Sequence, residues 1–149
     1  MLICGTLIAG GLTLMCKDQI TILLVDDDIE DQTLLSEAIH KIAPAICIKL
    51  FNNGSEVLHY LSSREDDTPC LIVLDYNMPG INGLQVLERI GEIHRLTSIP
   101  KIVWSTSNSH HFRTQCLNAG AFRYIVKPQN LQDLNQIAAD IIDTCERAA

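Results

Sequence analysis

The chain has 149 residues, with 11 Lys and Arg against 18 Asp and Glu, for a formal net charge of −7. That length suits one domain of ordinary size, and a hydrophobic content of 47% excludes global disorder. The acidic balance excludes bulk nucleic-acid binding, which needs a basic face to displace counterions from phosphates.

The first charged residue is Lys17. Ahead of it, MLICGTLIAGGLTLMC is apolar throughout, too short for a comfortable membrane span and without the basic region or cleavage site of a secretory signal. Residues 1–18 read as an apolar N-terminal extension, with a translation start at Met15 favoured over an anchor, and residues 19–149 read as one domain. The six cysteines (Cys4, Cys16, Cys47, Cys70, Cys116, Cys145) form no CxxC pair and show no zinc-ligand spacing. Reduced, buried thiols in a cytoplasmic protein are therefore expected.

Residues 20–25 (ITILLV) make a first strand that ends abruptly in Asp26, Asp27 and Asp28. The spacing of Leu34, Leu35, Ala38, Ile39 and Ile42 predicts a helix with one apolar face, stopped by Pro44. A second strand (46–51) leads to a turn signal at Asn53-Gly54, and Ser55 is the expected cap of a short second helix. Residues 64–68 form a charged loop.

The most apolar strand, 70–74 (CLIVL), ends at Asp75, and Leu84, Leu87, Ile90 and Ile93 then mark a third helix. Pro100 introduces a fourth strand (101–104), followed by Ser105-Thr106-Ser107. A fourth helix is predicted from near Ser109 to Gly120. The fifth strand, 122–126, ends at Lys127-Pro128, and Leu131, Leu134, Ile137, Ile141, Ile142 and Cys145 define the last helix. Five strands alternating with five helices predict an α/β fold, a doubly wound five-stranded parallel sheet with helices on both faces.

Ligands in such sheets bind outside the C-terminal ends of the strands, near the switch in strand order. Asp26, Asp27, Asp75, Ser105 and Lys127 all fall on that rim. Three carboxylates held together raise one another's pKa, and a hard divalent cation such as Mg²⁺ relieves the repulsion. A cation and a lysine flanking a carboxylate, with a hydroxyl nearby, make a cradle for a transferring phosphoryl group, and a carboxylate can be its acceptor. Read blandly, the Asp26–Asp28 run is a helix cap, and His110-His111 is a solvated helix start rather than a metal pair.

The pieces LLVDD (23–27), LIVLDYNMPGING (71–83), IVWSTS (102–107) and GAFRYIVKP (120–128) resemble the receiver domain of two-component response regulators. The likeness runs from residue 20 to about 147, and its D-x-x-M-P-G-x-x-G stretch is specific. It implies a flavodoxin-like, CheY-like fold, with Asp75 as phospho-acceptor and Mg²⁺ held by Asp26, Asp27, Asp75 and the Asn77 backbone carbonyl. It further implies Ser105 and Lys127 on the phosphoryl oxygens, a cis Lys127–Pro128 bond, and Tyr124 as an aromatic switch turning inward with Ser105. Thr106 departs from the smaller residue common at its position.

The implied protein is a single-domain response regulator, a signalling switch rather than an enzyme. Its donor is a sensor histidine kinase or histidine phosphotransfer protein, and a downstream protein effector reads the face of the fourth helix, fifth strand and fifth helix. A phosphorylation-dependent homodimer fits the same resemblance, whereas direct nucleic-acid and membrane binding are not expected. With about 130 residues accounted for, output is expected from another protein. The rivals are an Mg²⁺-dependent aspartyl-phosphate phosphohydrolase, which would want an Asp where Asn77 stands, and an inert receiver-like interaction module.

Overall fold

A computed structural model describes residues 19–64 and 68–148. The chain-start expectation, Cys4, Cys16 and most of the charged loop lie outside these residues. The elements run β1 (Thr21–Val25), α1 (Ile29–Ile42), β2 (Cys47–Phe51), α2 (Gly54–Ser63), β3 (Leu71–Asp75), α3 (Gly83–Gly91), β4 (Lys101–Ser105), α4 (His110–Asn118), β5 (Arg123–Val126) and α5 (Leu131–Ala148). A short 3₁₀ turn, His94–Leu96, which the sequence reading did not foresee, precedes β4.

All strand pairs are parallel, in the order β2-β1-β3-β4-β5. The order reverses between β1 and β3, which places a crevice beyond their C-terminal ends. Alternate strand residues face opposite sides of the sheet. Ile22, Leu24, Leu71, Val73, Ile102 and Trp104 pack toward Leu35 and Ile39 of α1 and Leu134 and Ile141 of α5. Leu23, Val25, Ile72, Leu74 and Val103 pack toward α2, α3 and α4 through Val57, Leu61, Val86, Leu87, Ile90 and Cys116. The doubly wound α/β architecture is as predicted.

Three local readings change. Leu34 and Ile42 are 43% and 50% exposed, because only the Leu35, Ala38 and Ile39 stripe of α1 meets the sheet. Asn53, not Ser55, caps α2, its side chain accepting from the Glu56 N–H at 2.9 Å. Gly54 therefore opens that helix instead of making a turn, and a Cβ there would stand 2.6 Å from Val86 Cγ2.

The expectation of reduced thiols is overturned for three cysteines. Cys70, just before β3, is disulfide-bonded to Cys145 in the last turns of α5, with Cα atoms 5.4 Å apart. Cys47 is also disulfide-bonded. The physical reason is proximity that spacing cannot reveal: α5 packs along the sheet so that residues 75 apart in sequence meet within bridging distance. Cys116 remains a free, buried thiol, and burial pushes its pKa up to about 11.

Candidate functional site

The rim at the β1–β3 switch gathers its polar groups from four strand ends. Asp26 and Asp27 follow β1, Asp75 is the last residue of β3, Ser105 the last of β4, and Lys127 follows β5. Register explains the assembly, since Asp75 pairs with Trp104 and Ser105 with Val126. The Lys127 N–H then donates to the Ser105 carbonyl at 2.7 Å, continuing the ladder to the edge of the site.

Asp26 is fully buried and Asp75 is 4% exposed, whereas Asp27 is exposed. One carboxylate oxygen from each lies within 4.8 Å of the others. Asp26 Oδ1 accepts from the Asp28 N–H at 2.9 Å. Its Oδ2 accepts from Lys127 Nζ at 2.9 Å, and Asp75 Oδ1 lies 3.3 Å from the same ammonium. Burial, opposed by these partners, raises the Asp26 carboxyl above the ordinary carboxylate range. Burial first, and the Asp26 charge second, push Asp75 up to about 7. Burial pulls Lys127 down, but its bonds to Asp31 and Asp26 outweigh that and hold it above the usual amine range.

Asp31 is a site residue that sequence reasoning missed. It sits in the first turn of α1 and accepts from Lys127 Nζ at 2.8 Å. Asp28 caps that helix, accepting from the Glu30 and Asp31 N–H groups, so the bland reading of the acidic run holds for one of its three members. No local signal marks it, because an acidic residue in the first turn of a helix is favoured by the helix dipole alone. Gln32 was also missed. It is buried, and its Nε2 donates to the carbonyls of Asp26 and Phe51 at 2.6 and 2.8 Å, tying α1 to both strand ends.

Ser105 is fully buried and Thr106 exposed, which favours Ser105 as the hydroxyl of the site. Ser105 Oγ accepts from the Ser107 N–H at 3.1 Å, leaving its own hydrogen available to an acceptor. Tyr124 is already turned in: it is buried, its hydroxyl donates to the Ser107 carbonyl at 2.8 Å, and the Arg113 guanidinium lies 5.1 Å from its ring centre. Asn77 is exposed on the loop after β3. Lys127–Pro128 is trans, correcting the cis expectation. The two isomers of an X–Pro bond differ by only about 0.5–1 kcal/mol, and from the trans form the ammonium already reaches Asp26, Asp31 and Asp75.

The fold and this cluster agree with what the chain matches. The family model for the response regulator receiver domain matches residues 22–139. The chain belongs to that family. Receivers are the signalling switches of two-component systems. Among curated relatives, the two-component response regulator ARR15 of Arabidopsis thaliana is 30% identical over 138 residues, covering 87% of this chain and 66% of that protein. The chain thus spans just under two thirds of that plant relative. The probable methanogenesis regulatory protein FilR2 of Methanothrix harundinacea is 28% identical, with 89% of this chain and 87% of that protein covered.

Among solved structures, the phosphorylated cyanobacterial phytochrome response regulator RcpA superposes with a TM-score of 0.80 at 30% identity, over 88% of this receiver and 96% of that chain. The Mn²⁺-bound form of response regulator Rcp1 gives 0.74 at 27% identity, over 82% and 91%. Among the described residues of the receiver, no helix is long and apolar enough to cross a membrane.

Proposed function

We propose that this receiver accepts a phosphoryl group on Asp75 from a phosphohistidine donor, a sensor kinase or a phosphotransfer protein, and thereby switches partner binding. The observation that carries the reading is the placement of Asp75, with an ammonium 3.3 Å away and two further carboxylates within 4.8 Å. An all-oxygen set of three carboxylates, one of them pushed up to about 7, suits a hard divalent cation. Asp26, Asp27, Asp75 and the Asn77 carbonyl would hold Mg²⁺. When bound, that ion supplies positive charge to the phosphoryl oxygens.

The chain's own residues do the rest. An Asp75 carboxylate oxygen attacks phosphorus as the P–N bond to the donor imidazole breaks, and the released electron pair stays on the imidazole nitrogen. Lys127, already beside Asp75, pairs with one phosphoryl oxygen, and the free Ser105 hydroxyl hydrogen donates to another. Movement of Ser105 pulls on the Ser107 segment that Tyr124 holds, so the acceptor communicates with α4, β5 and α5. A downstream protein effector reads that face, and a phosphorylation-dependent homodimer uses the same surfaces. Hydrolysis of the acyl phosphate resets the switch. The setting is cytoplasmic, where a kinase has a nucleoside triphosphate to draw on. The hydrolase and inert-module rivals gain nothing from the family match.

The test is incubation with acetyl phosphate or phosphoramidate and Mg²⁺, followed by intact mass. One phosphoryl adduct per chain, absent from Asp75→Asn, is the expected result. Rapid turnover of excess donor would indicate a hydrolase, and the absence of an adduct even with histidine kinases would indicate an inert module.

A further inference from the structure

Lys127 stands among three carboxylates, and they are not equivalent. Asp26 and Asp75 belong to the acidic trio, whose oxygens lie within 4.8 Å of one another, whereas Asp31 lies outside it. Yet Asp31 makes the shortest contact, 2.8 Å against 2.9 Å for Asp26 and 3.3 Å for Asp75. An ammonium has three donors, and the two hydrogen bonds that it makes here go to Asp31 and Asp26. The same ammonium lies 5.0 Å from the ring centre of Trp104, a buried indole.

Asp31 rides on a rigid support. It lies in the first turn of a fourteen-residue helix, and its own N–H is bound by the capping Asp28 at 3.2 Å. α1 is in turn tied to the ends of β1 and β2 through Gln32. Only one end of the Lys127–Asp31 pair is a flexible stem, so the carboxylate sets where the ammonium stands.

We infer that Asp31 is a positioning residue for the reaction at Asp75, acting through Lys127. The inference rests on the phospho-acceptor reading above. During transfer Asp75 would become an acyl phosphate, and Asp26 would share its charge with a divalent ion held by the acidic trio. Of the three anions that hold Lys127, Asp31 alone keeps an undivided charge for it. It therefore keeps the ammonium at the phosphoryl oxygens when the other two partners change. Losing a well-placed charge by even a small displacement is costly in a reaction that depends on position and electrostatics.

A double-mutant cycle tests this. Asp31→Ala and Asp31→Asn should each slow adduct formation from phosphoramidate by about 5-fold, within the range of coupling between groups in contact. Neither should slow it further in a Lys127→Met background, and Asp31→Glu should restore most of the wild-type rate. Trp104, the single tryptophan of the chain, supplies a second readout. In the absence of donor and divalent ion, Asp31→Ala should shift its emission, and the shift should vanish in the Lys127→Met background. Equal slowing in both backgrounds, no slowing, or an emission change that survives Lys127→Met would overturn the assignment. If the wild-type chain takes no adduct, the phospho-acceptor reading fails, while the emission cycle still decides whether Asp31 holds Lys127.

Discussion

The backbone of Gly83 lies so close to Asp75 that a Cβ there would stand 2.5 Å from the Asp75 carbonyl oxygen and 2.9 Å from Tyr76 Cα. The Gly83 N–H also donates to the Tyr76 carbonyl at 2.9 Å, which seats the start of α3 on the end of β3. The glycine is required by space, and the atoms in the way are backbone.

Gly83→Ala should therefore destabilise the fold by about 2 kcal/mol or more, the scale of overpacking against atoms that cannot rotate aside. Urea denaturation would show a lower midpoint. Because the strain falls on Asp75, phosphoryl acceptance should weaken in the fraction that remains folded. An unchanged midpoint would mean that the α3 start moves freely.

The pH dependence of the metal-free protein follows from Asp75, whose carboxyl is pushed up to about 7 by burial and then by the Asp26 charge. A carboxyl that holds its proton more tightly folded than unfolded stabilises the fold below the ordinary carboxylate range. That contribution is lost as pH rises through about 7. Thermal unfolding of the metal-free protein should accordingly show stability falling between about pH 4 and pH 7, on the order of 4 kcal/mol from this group. Asp75→Asn should flatten the profile. Divalent-ion affinity should rise over the same interval, because the ion competes with that proton.

The Cys70–Cys145 bond closes a long loop, the two residues being 75 apart in sequence. Chain-entropy reasoning gives a bridge over such a loop about 4.5 kcal/mol as an upper value, and disulfides typically deliver about 2–4 kcal/mol. Cys145→Ser should lower the unfolding midpoint accordingly, and non-reducing peptide mapping should recover the Cys70–Cys145 pair from the untreated chain. Recovery of free thiols at both positions would count against the bond.

Tyr124→Phe removes the donor that holds the Ser107 carbonyl at 2.8 Å and leaves the buried ring in place. The expected cost is about 1 kcal/mol, that of a lost internal hydrogen bond. Amide exchange should become faster in the Ser105–Ser109 segment while the strands stay protected. Uniform loss of protection would assign Tyr124 a general core role instead.

Much of this could be read from residue order. The apolar runs ending in Asp26, Asp75, Ser105 and Lys127 specified both the parallel sheet and the rim that carries the site, because strands buried on both faces can place polar residues only at their ends. Boundaries slipped by a residue or two where caps decide them, as with Asn53 taking the role expected of Ser55. The exposure of Leu34 and Ile42 was not readable, because an apolar stripe does not say how wide a surface waits for it.

Sequence by itself determined the α/β alternation, the family likeness and the residues that meet at the β1–β3 switch. Each of those follows from local periodicity and from which residue types end a strand. Only the tertiary structure decided that Asp31 shares the Lys127 ammonium, that Cys70 reaches Cys145, and that the bond between Lys127 and Pro128 is trans. The first two are distances between residues 96 and 75 positions apart, set by how α1 and α5 pack on the sheet. No local pattern encodes such a distance, because it is fixed by side-chain packing summed over the whole core.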